Sequence, residues 1–390
     1  MGINNGMQKI VFLEAVQNYG GARRSTLELA HRISDSYDVT IVDMFGSCVP
    51  FLQAIEEKHL DLRIIDKKNA PVLVGGGVSS NTIKKVFNYL KYIPIQIKLR
   101  KKLRDTIDDI KPNIIITNNL KTLSLITKRD FFKIVYFARG WGQRFEISDF
   151  RASIIKKKSD FFFTVSHATR HTLISRSIAT LTNCHVVANG ISSNLKFIEN
   201  KKRNGLITCG GFLPSKGHHL AIEILKSLHD KKHQIKLTII GTVYHGEKSQ
   251  QYYEEVLQLV KKYNLTDYVS FLIDIKNVPD IMQTSDFFLH LSETEGMPRV
   301  VMEAMANGAI VLANAVGGVT DLVIPEYNGF LIHHNDIEHY TAKIEYLIKT
   351  ENTKRLEYRT NAYSSILQGN SIANQVQAFK IAINTCIGIL

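Results

Sequence analysis

The chain has 390 residues, 44% hydrophobic and 22% charged, the balance of a globular protein with core enough for two ordinary domains. No run of 18 apolar residues occurs, so no membrane-spanning helix is expected. The net charge is +13, and the whole surplus lies in residues 1–195, which hold 29 Lys/Arg against 16 Asp/Glu, whereas 196–390 hold 20 of each. That asymmetry points to a polyanion or an anionic membrane surface as a partner of the first half, or else to a solvated basic face. The opening "MGINNGMQKIVFLEAV" lacks the basic segment, apolar core and cleavage site of a secretory leader, and it lacks the Ser/Thr of a myristoylation signal. The expected location is cytoplasmic. Cys48, Cys184, Cys209 and Cys386 are widely spaced with no CxxC pair, which fits buried thiols rather than a metal or disulfide framework.

In chain order, "KIVFLEAV", "VTIVDM", "LRIID", "NIIITNN", "KIVYFARG", "DFFFTVS" and "CHVVANG" read as strands of the first half. "GLITCGG", "IKLTIIG", "VSFL", "DFFLHLS", "AIVLAN" and "GFLI" follow in the second. Helical patterns lie between them, among them "ARRSTLELAHRIS", "HHLAIEILKSLHDK" and "QQYYEEVLQLVKKY", the last with Val256, Leu259 and Val260 on one side. Strands alternating with helices give parallel sheets, and continuously apolar strands fit sheets covered on both faces. The polar stretch "ISSNLKFIENKKRNG" interrupts the alternation. The expected division is a first doubly wound domain over 1–190, a linker over 191–204, a second doubly wound domain over 205–365, and a helical segment over 366–390 crossing back to the first. In such folds ligands bind at the carboxyl ends of the strands, here in a cleft between two domains.

Four stretches are candidates for chemistry. "NYGGARRSTLELA" follows the first strand and opens a helix, where Gly20 and Gly21 permit close backbone approach to an anion. It is not a GxGxxG fingerprint, and an ordinary turn explains it equally well. "GGFLPSKGHHLAI" places Lys216 and Gly217 at another helix mouth, where an ammonium and backbone N–H groups suit a diphosphate, the plainer reading being an ordinary strand–helix loop with an exposed lysine. "SETEGMPRVVMEAMANG" carries Glu295 before a helix and Glu303 inside it, with Pro298 at or near the first helical position and Gly308 ending it. Val300, Val301, Ala304 and Met305 form its expected buried stripe, and Glu303 flanks that stripe. The plainer readings are a Glu303–Arg299 pair and a capping role for Glu295. The fourth, "NTIKKVFNYLKYIPIQIKLRKKLRD" (81–105), interleaves Lys and Arg with aromatics, as a helix on an anionic lipid surface does, or as a charged helix packed on its own domain does. "PVLVGGGVSSN" (71–81) reads as a flexible loop. DxD, GxxxxGK[ST], HExxH and GxSxG motifs are absent, as are nucleic-acid-binding signatures.

Together these residues resemble glycosyltransferase family 4, retaining enzymes of the GT-B fold, of the bacterial cell-surface polysaccharide type. The similarity runs through "DFFLHLSETEGMPRVVMEAMANGAIVLANAVGGVTDLVIPEYNGFLI", with "YGGARRSTLELA", "DFFFTVSHAT", "VVANGI", "CGGFLPSKGHHLAI" and "IKLTIIG" in the family's order. The resemblance implies two Rossmann-like domains facing a central cleft, the first for the acceptor and the second for a UDP- or GDP-linked sugar donor. It implies that Lys216, with Gly217, meets the diphosphate and Glu303 the ribose. Glu295, with the backbone of Gly296 and Met297, would meet the sugar hydroxyls, and Gly20 and Gly21 would let the first domain close over the phosphates. Catalytic roles fall to Glu295 and Arg139, with no metal and no cofactor. Many members have Arg where this chain has Gly211, His where it has Arg139, and an acid near Arg23. The expected function is sugar transfer to a lipid-linked or polysaccharide acceptor in cell-surface glycan synthesis (lipopolysaccharide, O-antigen or capsule), peripheral on the inner face of the membrane. The rival readings are a sugar-nucleotide epimerase and a non-catalytic nucleotide-sugar-binding protein.

Overall fold

The apolar, β-branched runs form thirteen strands among the described residues, and every strand pair is parallel. The computed structural model describes residues 7–67, 82–192, 197–199, 201–244, 246–275 and 277–388, and for 82–92 the backbone alone. The chain divides into two units. The first comprises Met1–Val165, Arg170–Val187 and Val376–Leu390, and the second Ser166–Thr169 and Ala188–Gln375.

The first unit holds β1 (Lys9–Glu14), β2 (Asp38–Asp43), β3 (Asp61–Ile64), β4 (Ile114–Thr117), β5 (Lys133–Ala138), β6 (Phe161–Thr164) and β7 (Cys184–Val186). Their spatial order is β3-β2-β1-β4-β5-β6-β7. Central β4 is buried along its whole length, as a strand covered on both faces must be, while edge strand β3 has exposed Asp61 and Arg63 alternating with half-buried Leu62 and Ile64. Phe379, from the last stretch of the chain, closes this core: it stacks on Phe12 at 6.3 Å and meets Phe163 edge-on at 5.8 Å.

The second unit holds β8 (Leu206–Cys209), β9 (Leu237–Gly241), β10 (Val269–Ile273), β11 (Phe287–His290), β12 (Ile310–Asn314) and β13 (Phe330–Ile332), in the order β10-β9-β8-β11-β12-β13. Phe212 lies at its centre, 4.7 Å edge-on from Tyr253. Each unit is therefore a Rossmann-like, doubly wound sheet. In each, the strand order reverses once, between β1 and β4 in the first and between β8 and β11 in the second, and these switch points are where such folds hold ligands.

Of the segment 81–105, residues 82–105 belong to the helix Thr82–Ile110. Lys84, Lys85, Val86, Phe87, Tyr89, Leu90, Lys91 and Tyr92 lie outside the described side chains, and the loop 71–81 lies outside the described residues. From Lys98 onward the helix exposes Lys98, Arg100, Lys101 and Arg104 and buries Leu99, Leu103 and Ile107 in its own unit, the pattern of a charged helix packed on its own domain. No helix among the described residues is long and apolar enough to cross a membrane. The four cysteines are free thiols, and burial pushes Cys184 up to about 11 and Cys386 up to about 12.

Candidate active site

In the second unit, the two strands flanking the switch point each hand their carboxyl end to a short loop. After β8 come Gly210–Leu213, a single 3-10 turn Pro214–Lys216 and the helix His218–Asp230. After β11 comes the loop bearing Glu295, then the helix Arg299–Ala306. The Glu293 N–H donates to the Ser215 carbonyl at 3.0 Å and ties the loops together. Lys216 Nζ thereby stands 2.6 Å from Glu295 Oε1, and His290 Nε2 stands 3.4 Å from the same oxygen. Burial opposes charge on Glu295. Lys216, and His290 after it, outweigh burial and hold its carboxyl well below the usual carboxylate range.

Two glycines make this geometry. Gly217 has φ +70°, and a Cβ there would sit 2.5 Å from the Leu291 carbonyl oxygen. Gly318 donates its N–H to the Glu295 carbonyl at 3.3 Å, and a Cβ on it would run into the carbonyl oxygen of Gly296. Met297 is buried, its carbonyl accepting from Asn189 Nδ2 at 2.9 Å. The backbone of Gly296 and Met297 is thus fixed beside Glu295.

Pro298 is extended (φ −76°, ψ 118°) and caps the helix that follows, next to its first residue Arg299, as expected of a proline near the helix start. The helix differs from expectation in its buried face. Val300 is half-buried, and Met302 is fully buried in its place. The helix packs on Asn352–Gly369 as well as on β11 and β12, so its buried surface is broader than one stripe. Glu303 flanks it, half-buried, with Arg299 Nε 3.8 Å from its Oε1. Arg299 Nη1 donates to the Gly190 carbonyl at 3.0 Å, so the cation is held in place and the pair is more than a solvent contact.

Gly211 lies under the ring of Tyr244, and a Cβ on Gly211 would collide with that ring. Ser249 fixes the tyrosine, its hydroxyl accepting from the Tyr244 N–H at 2.9 Å and donating to the Phe212 carbonyl at 2.8 Å. Beside it His218 is fully buried, with Nε2 3.2 Å from the Gly210 carbonyl. Burial pushes its pKa down to about 4, against hydrogen bonds to the backbone of Gly210 and Gly211 that favour the charged form. The folded state therefore holds His218 neutral where the unfolded chain binds a proton. Stability is full above pH ~6.5 and falls by up to about 3 kcal/mol as pH drops to about 4. The variant His218→Asn, which removes the titration, is expected to show a flatter fall in denaturation midpoint over that window.

In the first unit, Gly20 caps the helix Gly21–Ile33 with φ −92°, and a Cβ on it would meet nothing within 4 Å. The space in front of that turn is open, and the fold of the unit does not itself require glycine there. Arg139, just after β5, donates to Ser25 Oγ at 3.2 Å and Thr26 Oγ1 at 3.0 Å, with its guanidinium 4.0 Å from the Phe137 ring centre. Glu14, the last residue of β1, is buried with Arg23 Nε at 3.1 Å and accepts from Asn118 Nδ2 at 3.3 Å. Burial raises its pKa, and Arg23 and then Arg139 oppose the rise.

The structure thus brings Lys216, Gly217, Glu295, Gly296 and Met297 together, with Glu303 further along the adjoining helix. Gly20, Gly21 and Arg139 share the carboxyl edge of the other sheet. Sequence reasoning missed His290, Tyr244 and Glu14. For His290 and Glu14 a signal existed: each is a titratable residue ending an otherwise apolar strand, the position from which doubly wound folds present functional groups.

The architecture has close counterparts. The structure of Anabaena HepE in complex with UDP-glucose superposes with a TM-score of 0.79 at 21% identity, over 97% of this chain and 99% of that one. Residues 193–365, which include Lys216, Glu295 and Glu303, match the family model "Glycosyl transferases group 1". The chain has the GT-B fold, and its second unit carries the group 1 glycosyltransferase signature. An uncharacterized glycosyltransferase of Haemophilus influenzae is 25% identical to it over 88% of this chain and 91% of the relative. The capsular polysaccharide biosynthesis glycosyltransferase CapH of Staphylococcus aureus is 21% identical over 80% and 82%. The group 1 match covers the unit in which Lys216 and Glu295 meet, so the glycosyltransferase signature and the carboxylate–lysine pair occupy the same sheet edge.

Proposed function

We propose that this protein is a glycosyltransferase that moves a sugar, with retention and without a metal, from a UDP- or GDP-linked donor to a lipid-linked or polysaccharide acceptor in cell-surface glycan synthesis, at the inner face of the membrane. The observation that carries the reading is the convergence of Lys216, Glu295 and His290 at the carboxyl ends of the two strands flanking the switch point. Lys216 offers its ammonium to the donor diphosphate, exchanging part of its contact with Glu295. Glu295 remains ionised at neutral pH and accepts from sugar hydroxyls, beside the fixed backbone of Gly296 and Met297. Glu303 takes the ribose hydroxyls. Gly217 keeps the helix mouth open to phosphate, and Gly20 and Gly21 do the same in the first unit. Arg139 supplies positive charge on the acceptor side.

In the proposed step, the bond from the anomeric carbon to the donor phosphate oxygen breaks, and a bond to the acceptor hydroxyl oxygen forms on the same face. The acceptor proton passes to the departing phosphate oxygen. Charge on the leaving nucleotide is met by Lys216 and backbone N–H groups already in place, the arrangement that lowers a barrier most. The HepE complex with UDP-glucose and the role named for CapH support a UDP-sugar and a surface polysaccharide. A panel of UDP- and GDP-sugars tests the donor assignment by thermal shift. The true donor, at ~100 times its Kd, stabilises by about 2.7 kcal/mol, or roughly 5–10 °C. Lys216→Ala is expected to weaken that donor about ten-fold or more. A panel with no shift sinks the donor assignment, and donor turnover without any acceptor turns the reading toward an epimerase.

A further inference from the structure

Apart from Ser166–Thr169, the second unit begins at Ala188 and ends at Gln375. Its first and last residues run side by side, bridged at Ile191 and Ser371. The Ile191 N–H donates to the Asn370 carbonyl at 2.9 Å, and the Ile372 N–H donates to the Ile191 carbonyl at 3.2 Å. Asn370 Nδ2 donates to the Asn189 carbonyl at 3.3 Å. Gly190 permits this approach, since a Cβ on it would lie 2.8 Å from Ile372 Cα and from the Ser371 carbonyl oxygen. Both segments reach one residue of the donor loop. Asn189 Nδ2 donates to the Met297 carbonyl at 2.9 Å, and Asn370 Nδ2 lies 3.7 Å from Met297 Sδ.

Asn189 is 6% exposed and Met297 7%, so their bond is shielded from water. A buried carbonyl that loses its donor pays the full cost of desolvation, which makes this bond hard to give up in place. The loop is thus held at Glu295 by the Gly318 N–H and at Met297 by the Asn189 amide. The far end of the adjoining helix has anchors of its own. Asn307 Nδ2 donates to the Glu303 carbonyl at 2.8 Å, Arg203 Nη2 to the Asn307 carbonyl at 2.8 Å, and Arg359 Nη1 to the Gly308 carbonyl at 2.6 Å. Gly190 meets Arg299 through a backbone carbonyl, which a change of side chain at 189 leaves in place.

We propose that Asn189 is a positioning residue for the transferred sugar: through the Met297 carbonyl it fixes the Gly296–Met297 backbone that meets the sugar hydroxyls, and it leaves the nucleotide contacts at Lys216 and Glu303 alone. The inference rests on the proposed transferase and deepens it, since it separates the part of the donor site that reads the sugar from the part that holds the nucleotide. Hydrogen bonds to sugar hydroxyls have narrow geometry, so a Met297 peptide free to turn weakens them. Misplacement of the anomeric carbon then lowers kcat as well.

Asn189→Asp keeps the shape of the side chain and removes the donor. The probes are UDP-glucose, UDP-N-acetylglucosamine and GDP-mannose, each beside its own nucleoside diphosphate, titrated calorimetrically into the full chain. For the nucleotide sugar that the wild type binds most tightly, Asn189→Asp is expected to weaken binding about ten-fold, and to change binding of the matching diphosphate less than about two-fold. Hydrogen exchange of the free protein reads the same loop without a ligand. Amides of residues 293–299 are expected to exchange about ten-fold faster in the variant, and those of β8 and β11 at the wild-type rate. Equal weakening of nucleotide sugar and diphosphate, or unchanged exchange in the loop, overturns the proposal. Where Asn189→Asp fails to fold, Asn370→Ala, which changes a half-buried residue, is read in the same way. It is expected to weaken the nucleotide sugar alone by about three-fold, and a variant that weakens both ligands or neither overturns the proposal. Faster loop exchange in Asn189→Asp, with no nucleotide sugar bound by the wild type, counts against the donor reading alone. Nucleotide-sugar binding that the variant keeps in full counts against Asn189 alone.

Discussion

Glu295→Gln is expected to lower kcat about 10²- to 10³-fold while leaving the chain folded. Glutamine keeps the size of the side chain and its contact with Lys216, and removes the charge that Lys216 and His290 both address. Lys216 retains 30% side-chain exposure, so water screens the ammonium left behind. The same substitution changes the pH dependence of stability. The Glu295 carboxyl is held below its unfolded value, so the pair stabilises fully above about pH 4–5 and is lost as pH falls further. Between about pH 6 and 3 the wild-type denaturation midpoint is therefore expected to drop more steeply than that of Glu295→Gln. A variant with wild-type turnover refutes the role of the carboxylate, and identical pH slopes refute the ion pair.

Gly217→Ala is expected to destabilise the second unit and to weaken the donor site together. The residue has φ +70°, which costs about 1–2 kcal/mol for a side chain, and its Cβ would sit 2.5 Å from the Leu291 carbonyl oxygen. Crowding adds ~1–3 kcal/mol, so the total is about 2–5 kcal/mol, or roughly 5–15 °C in the melting of this unit. Relief requires the loop after β8 to move away from the loop after β11, which separates Lys216 from Glu295. Donor affinity is expected to fall with stability. Gly20→Ala is the comparison, because a Cβ there meets nothing and φ is negative, so melting should shift by less than ~0.5 kcal/mol in free energy. Equal melting of the two variants would contradict the close approach at Leu291.

Much of the fold was legible because buried parallel strands leave an unmistakable record. "NIIIT" and "KIVFLE" have no polar alternation to confuse them, and each became a central strand. The placement of Glu295 and Gly296 ahead of a helix was legible too, since a glycine and a proline together mark a helix start. What the sequence hid was tertiary. Val300 and Met302 differ by two positions on a helix covered from more than one side, and no single stripe describes such an element. His290 looked like the tail of an apolar strand until β11 was seen to end beside Glu295. Arg139 looked like an available cation, and its partners Ser25 and Thr26 are 114 and 113 residues away in the chain.

The phenol ring over Gly211 couples position 211 to position 244. An arginine placed at 211 meets the end of the Tyr244 side chain, so the half-buried ring has to turn aside before a cation can face this loop. The residue at 211 and the orientation of the ring at 244 are therefore set together, and Gly211→Arg with Tyr244→Gly exchanges a neutral wall for a cationic one without that movement.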